Sequence, residues 1–139
     1  MIAPNQSNTY MNLPRLTDAV IRGKRVLARL DLNIPVSSAG VLKEHRRIDA
    51  ILPTLEHLKK EGAKEIVMVS HHSSDKQSLK PISVFLQKRI PHRFIKDIFS
   101  DEEFAHARES GVSIFLCENM RFREGEKKND EGFARRLAT

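Results

Sequence analysis

Gly23-Lys24-Arg25-Val26-Leu27-Ala28-Arg29-Leu30-Asp31-Leu32-Asn33-Ile34-Pro35 holds an apolar run that turns polar at Asp31 and Asn33 and closes on a proline. An apolar run of this length, bounded by a turn former, reads as a mostly buried strand over residues 26–32. Ser37-Ser38-Ala39-Gly40 then supplies a turn. Beyond it, Ile48, Ile51, Leu52, Leu55 and Leu58 recur at three- and four-residue steps, the pattern of an amphipathic helix that Gly62 ends. Pro53 inside that pattern requires a kink, or a helix that starts only shortly before it.

The same rhythm continues toward the C-terminus. Residues 65–70 form a second apolar strand, followed at once by His71 and His72. Ser78 suits the cap of a second helix, with Pro81 in its first turn and Ile82, Phe85 and Leu86 on its inner face. Residues 92–95 suit a short third strand, and Asp101-Glu102-Glu103 the dipole-favoured start of a third helix. Residues 113–117 read as a fourth strand, and Asp130 as the cap of a last helix carrying Phe133, Ala134 and Leu137 on one face. Strand alternating with helix, with continuous apolar strands, predicts an α/β fold: an open parallel sheet with helices on both faces. Working upstream, residues 1–12 read as a flexible extension, and Met11 offers a second start.

Composition narrows the class. A chain of 139 residues is one domain's length, and 40% hydrophobic with 30% charged residues is globular usage. Its apolar runs fall short of the roughly 18 residues that a membrane span needs, and the N-terminus lacks the layout of a secretory signal. The single cysteine, Cys117, fits a reducing compartment, so the expected location is the cytoplasm. A net charge of +6 raises nucleic acid as a partner. Against it, the cations are dispersed along helical segments, with few aromatics among them to stack bases.

Ligands of open parallel sheets bind outside the carboxyl ends of the strands. The polar residues expected there are Asp31 and Asn33, His71 and His72, then Glu118, Asn119, Arg121 and Arg123, with Arg46 and Arg47 opening the first helix on the same side. Several arginines with a carboxylate and amides suit a small, hydroxylated, multiply anionic ligand. Each has a plainer reading too. Asp31 and Asn33 are also turn formers, the arginines also ordinary solvated charges, and Cys117 also simple packing. His71 and His72 lack a third ligand at recognisable spacing, so no metal site is expected. Neither GxGxxG nor GxxxxGK[ST] occurs.

Three motifs then add a family. The R-x-D-x-N-x-P pattern of residues 29–35 resembles the opening strand of phosphoglycerate kinases. Arg47-Ile48-Asp49-Ala50-Ile51-Leu52-Pro53-Thr54-Leu55, followed by Gly62-Ala63-Lys64, is similar to that family's next helix, proline included. Glu118-Asn119-Met120-Arg121-Phe122, followed by Glu126-Lys127-Lys128-Asn129-Asp130, looks like its E-N-x-R-F segment. The resemblance runs from about Leu13 onward, in family order. It implies a partial N-terminal, phosphoglycerate-binding domain over 13–139, with the C-terminal nucleotide domain absent.

What the resemblance implies about function is specific. The family exchanges a phosphoryl group between 1,3-bisphosphoglycerate and ADP, giving 3-phosphoglycerate and ATP in glycolysis, and is usually monomeric. Its nucleotide cofactor, Mg-ATP or Mg-ADP, would bind outside this chain, leaving the isolated chain without turnover. Carried over, Asp31 and Asn33 would contact the glycerate, and Arg47 would be the catalytic arginine stabilising the transferring phosphoryl group. His71 and Arg121 would grip the non-transferring phosphate. One departure is plain: where the family reads S-H-L-G-R-P, this chain reads Ser70-His71-His72-Ser73-Ser74-Asp75, so Ser74 replaces a gripping arginine. Arg46, Arg123 and Lys76 are the nearby cations available to compensate. The alternative from another class is a non-catalytic remnant or small-anion-binding module.

Overall fold

The computed structural model describes residues 14–139; the expected extension at 1–12 and the second start at Met11 lie outside the described residues. Four strands, β1 (Arg25–Arg29), β2 (Glu65–Val69), β3 (Arg93–Ile95) and β4 (Ile114–Cys117), form one sheet in the order β1-β2-β4-β3. Every pairing is parallel, with Val26 beside Ile66, Ile66 beside Ile114, and Arg93 beside Phe115. The connecting helices are α1 (Arg46–Lys60), α2 (Lys80–Leu86) and α3 (Asp101–Arg108), and the chain finishes on α4 (Glu124–Lys127) and α5 (Glu131–Ala138). None of these helices is long and apolar enough to cross a membrane.

Alternation along the strands sorts the core into two layers. Ile66, Met68, Ile114 and Leu116 pack with Ile48, Leu55 and Leu58 of α1 and Ile82 and Leu86 of α2. Their strand neighbours Val67, Val69, Phe115 and Cys117 pack instead with Phe104 and Ala107 of α3, and with Phe133 and Leu137 of α5. Helices therefore cover both faces, as the unbroken apolar runs of β2 and β4 require.

Three local expectations need correction. β1 is not mostly buried: its residues alternate exposed and half-buried, and Leu27 is 45% exposed. The cause is uneven cover: Val26 and Ala28 pack on the α1–α2 layer, whereas the α3–α5 layer packs on β2, β3 and β4 and leaves Arg25, Leu27 and Arg29 outside it. Nor does α1 start near Pro53; it runs from Arg46 through the proline, which lies two turns inside and leaves the Asp49 carbonyl without its usual amide donor. The second helix begins after Leu79, with Pro81 in its first turn. Ser78 still serves its amides, its Oγ accepting from Lys80 N at 3.0 Å.

Other ends follow the sequence. Ser100 Oγ accepts from Glu103 N, and Asp130 Oδ1 from Phe133 N, capping α3 and α5. Ala134 stays exposed, however, while Phe133 and Leu137 turn inward. The short α4 leaves no periodic mark in the sequence. It packs tightly on α5: a Cβ at Gly125 would come within 2.7 Å of the Phe133 side chain.

Candidate functional site

The carboxyl ends of β1, β2 and β4 open on one rim, and the segments leaving them carry the site residues. β1 ends on Arg29. Two residues later Asp31 folds its Oδ1 onto Asn33 N at 3.1 Å, turning the chain toward α1. Its Oδ2 meets Arg47 Nε at 3.1 Å, and Arg47 Nη1 donates to the Asn33 carbonyl. Glu44 stands 3.7 Å from the same guanidinium. Asp31, Asn33 and Arg47 thus form one contiguous group, presented by the turn after β1 and the first turn of α1.

A second group lies beside it. The Arg29 guanidinium is 3.3 Å from His71 Nδ1, and it donates to Glu126 Oε1 at 3.1 Å. Arg121 Nη1 reaches the other oxygen of Glu126 at 3.4 Å. His71 and Arg121, both expected at the rim, are therefore linked through two residues that sequence reasoning passed over. Arg29 stands inside the R-x-D-x-N-x-P pattern but was given no site role of its own. Glu126 lies 97 residues from Arg29, and only the fold brings them together.

Both groups remain open to solvent. The side chains of Asp31 and Arg29 are 68% and 61% exposed, and those of Arg47 and Arg121 42% and 36%. Guanidinium N–H groups left facing water at a rim can fork onto a carboxylate or phosphate. The two groups abut through the backbone: Asn33 Oδ1 accepts from Ser73 N at 2.9 Å, tying the loop after β2 to the turn after β1.

That loop is held from several sides. His72 is buried, with Nε2 3.1 Å from the Ile34 carbonyl and Nδ1 accepting from Ser74 N at 3.0 Å. These partners assign it the neutral tautomer with its proton on Nε2. His71 and His72 consequently face different surroundings. Asn119, also buried, accepts from His72 N and Arg121 N and donates to the Ser74 and Gln77 carbonyls. Glu118 accepts from Ser78 Oγ and Leu79 N. Of the rim residues named from sequence, Glu118, Asn119 and His72 therefore brace loops, and their polar atoms are already taken.

The loop change also has an electrostatic effect. Asp75 pairs with Lys127 at 3.3 Å. Arg123, a candidate substitute for the missing arginine, is 2.7 Å from Asp97, and Arg46 projects into solvent at 96% exposure. Neither turns toward the Arg29–His71–Arg121 group. Lys76 donates only its backbone amide, to Ser74 Oγ. Cys117, at the end of β4, is wholly buried, and burial pushes its thiol up to about 12. It serves as packing.

The fit to a Mg-nucleotide can be tested on the residues themselves. No three His, Cys, Asp or Glu side chains cluster to hold a metal ion among the described residues. The chain also contains no GxxxxGK[ST] phosphate loop.

An open parallel sheet with helices on both faces, carrying arginines, a histidine and an aspartate at the carboxyl ends of its strands, defines an α/β domain with a basic rim where ligands of such sheets bind. A family model of phosphoglycerate kinase matches residues 16–139, and the chain belongs to that family. It is 37% identical over 137 residues to the phosphoglycerate kinase of Legionella pneumophila strain Lens, covering 92% of this chain and 33% of that protein. To that of Thermosynechococcus vestitus it is 37% identical over 135 residues, covering 91% and 34%. Among solved structures, phosphoglycerate kinase from Coxiella burnetii superposes with a TM-score of 0.73 at 27% identity, over 88% of this chain and 32% of that one. The Pyrococcus horikoshii enzyme gives 0.68 at 27%, over 82% and 29%. The chain thus spans about a third of the length of the relatives it matches.

Proposed function

We propose that this chain supplies part of the glycerate-binding face of a phosphoglycerate kinase, as the N-terminal domain that 13–139 partly represents. The carrying observation is convergence: Asp31, Asn33 and Arg47 in mutual contact, beside Arg29, His71 and Arg121, at one rim. In this reading Asp31 accepts from the glycerate hydroxyl, and Asn33 shapes the turn that presents it. Arg47 stabilises charge on the transferring phosphoryl group by fixed electrostatics, without acting as a nucleophile. Before ligand arrives, Asp31 holds the Arg47 guanidinium in place. Arg29, His71 and Arg121 receive the phosphate that stays. The overall reaction would be reversible phosphoryl transfer between 1,3-bisphosphoglycerate and ADP, in the cytoplasm. Mg-nucleotide would be bound outside these residues.

Calorimetry tests the reading. 3-Phosphoglycerate binds weakly, and Arg47→Ala or Arg121→Ala each weakens it by about ten- to a hundredfold, the worth of one charge-assisted contact of ~1.5–3 kcal/mol. ADP and ATP give no binding heat. Wild-type affinity in both variants would sink the assignment, as would micromolar nucleotide binding. A second reading, a non-catalytic small-anion-binding module, draws support from Ser74 at the gripping position and from Asp75 beside it. Inorganic phosphate binding as tightly as 3-phosphoglycerate would favour that module.

A further inference from the structure

Glu126 stands out as a carboxylate within a basic site. Its side chain is only 9% exposed, while Arg29 above it is 61% and Arg121 36% exposed. Oε1 accepts from Arg29, whereas Oε2 is buried with no hydrogen-bond partner and has only the Arg121 charge 3.4 Å away. A buried carboxylate oxygen without a donor is costly, and an arginine is what offsets that cost. Two roles are conceivable for such a group. A placeholder sitting where the ligand anion goes would be exposed and would leave on binding. A floor beneath the arginines would be buried and would stay.

The order of exposure decides for the floor. Gly125 beside it lets Phe133 seat α4 against α5, since a Cβ there would lie 2.7 Å from the Phe133 side chain, so the helix that carries Glu126 is packed down. We propose that Glu126 is a positioning residue: its carboxylate orients Arg29 and Arg121 from below, so that their outer N–H groups converge on one anion. The inference rests on the phosphoglycerate reading above for the identity of that anion. Its geometry alone requires only two arginines sharing one buried carboxylate.

The two roles give opposite signs. Glu126→Gln removes a negative charge near the site, so a placeholder or a purely Coulombic effect makes an incoming anion bind more tightly. A positioning role makes it bind more weakly, because Gln keeps the acceptor for Arg29 but turns an amide toward Arg121. We expect 3-phosphoglycerate affinity to fall about tenfold in Glu126→Gln, with no recovery in the shorter Glu126→Asp and with the melting temperature of Glu126→Gln close to wild type. Tighter binding in Glu126→Gln overturns the proposal.

A ligand-free readout separates this from failure of the phosphoglycerate reading. The Nη–H resonances of Arg29, whose Nη2 donates to Oε1, and of Arg121, whose Nη1 faces Oε2, should be sharp and protected in the wild-type chain and broadened in Glu126→Gln. Wild type that binds no 3-phosphoglycerate but shows these resonances keeps the positioning role and loses the substrate. Resonances unchanged by the substitution overturn the positioning role itself.

Discussion

Ser74 occupies the loop after β2, where its amide bonds His72 and its carbonyl accepts from Asn119. Its side chain accepts only from Lys76 N, at 3.3 Å within the same exposed loop, so a longer one can extend from the same scaffold. Ser74→Arg should add a charge-assisted contact and tighten 3-phosphoglycerate binding by about tenfold or more, measured by calorimetry at low salt. An unchanged affinity would mean that the loop aims position 74 away from the Arg29–His71–Arg121 group. Cys117 shows the opposite case, a residue whose chemistry is shut off. Burial raises its thiol, and the carboxylates of Glu103 and Asp97 raise it further. Alkylation should be negligible in native buffer and rapid in denaturant; a native rate like that of a free thiol would contradict the packing role.

Between elements, polar pairs at buried ends hold β2 and α2 in place. Glu65, at the start of β2, takes Nε and Nη2 of Arg108 at 2.6 and 3.1 Å, and Arg25 at 3.1 Å. The Arg108 hydrogen bond outweighs burial and holds the Glu65 carboxyl below its usual range. His92, buried before β3, bonds Ser83 of α2 at 2.9 Å and the Ile90 carbonyl at 2.9 Å. Burial lowers its pKa from 6.5, more than the Ile90 bond raises it, and Lys80 adds to the lowering. The signs then fix the pH profile. The His92 contribution is complete above its unfolded pKa near 6.5 and is lost as pH falls toward its lower folded value. The Glu65 contribution persists to more acid pH, being lost only as pH drops through a value already below 4.5. Thermal melts should therefore be flat from pH 8 to 7 and decline below about 6.5, and His92→Gln should remove that first decline. A decline of equal slope in the variant would assign it to other groups. This scale also shows what the sequence could convey. β2 and β4 were legible because burial on both faces leaves an unbroken apolar run. β1 carries a similar run, yet its burial depends on which helices cover its two faces, and no local pattern encodes that. The Asp31–Asn33–Arg47 group was readable from its motif, whereas Glu126 belongs to a four-residue helix too short to show a period.

Across the whole molecule, stability and function pull on different strands. β2 and β4 are buried along their length and flanked on both edges, while β1 has one neighbour and an exposed face. Arg29, Asp31 and Asn33 nevertheless all issue from β1, so half of the rim hangs on an edge strand. Leu30 N donates to the Val69 carbonyl, and two-residue parity then turns the Val26 and Ala28 amides toward β2 and the Leu27 amide outward. Hydrogen exchange should accordingly be slowest in β2 and β4, intermediate at Val26 and Ala28, and fast at Leu27. A ligand that grips Arg29 and Asp31 binds only the ordered edge, and so must stabilise it by mass action. Saturating 3-phosphoglycerate should slow exchange at Val26 and Ala28 by several-fold while leaving the already protected β4 unchanged, because the ligand contacts an edge strand that opens more readily than the central ones. Uniform slowing across all four strands would instead show that β1 opens only when the whole domain unfolds, and that its edge position costs the site nothing.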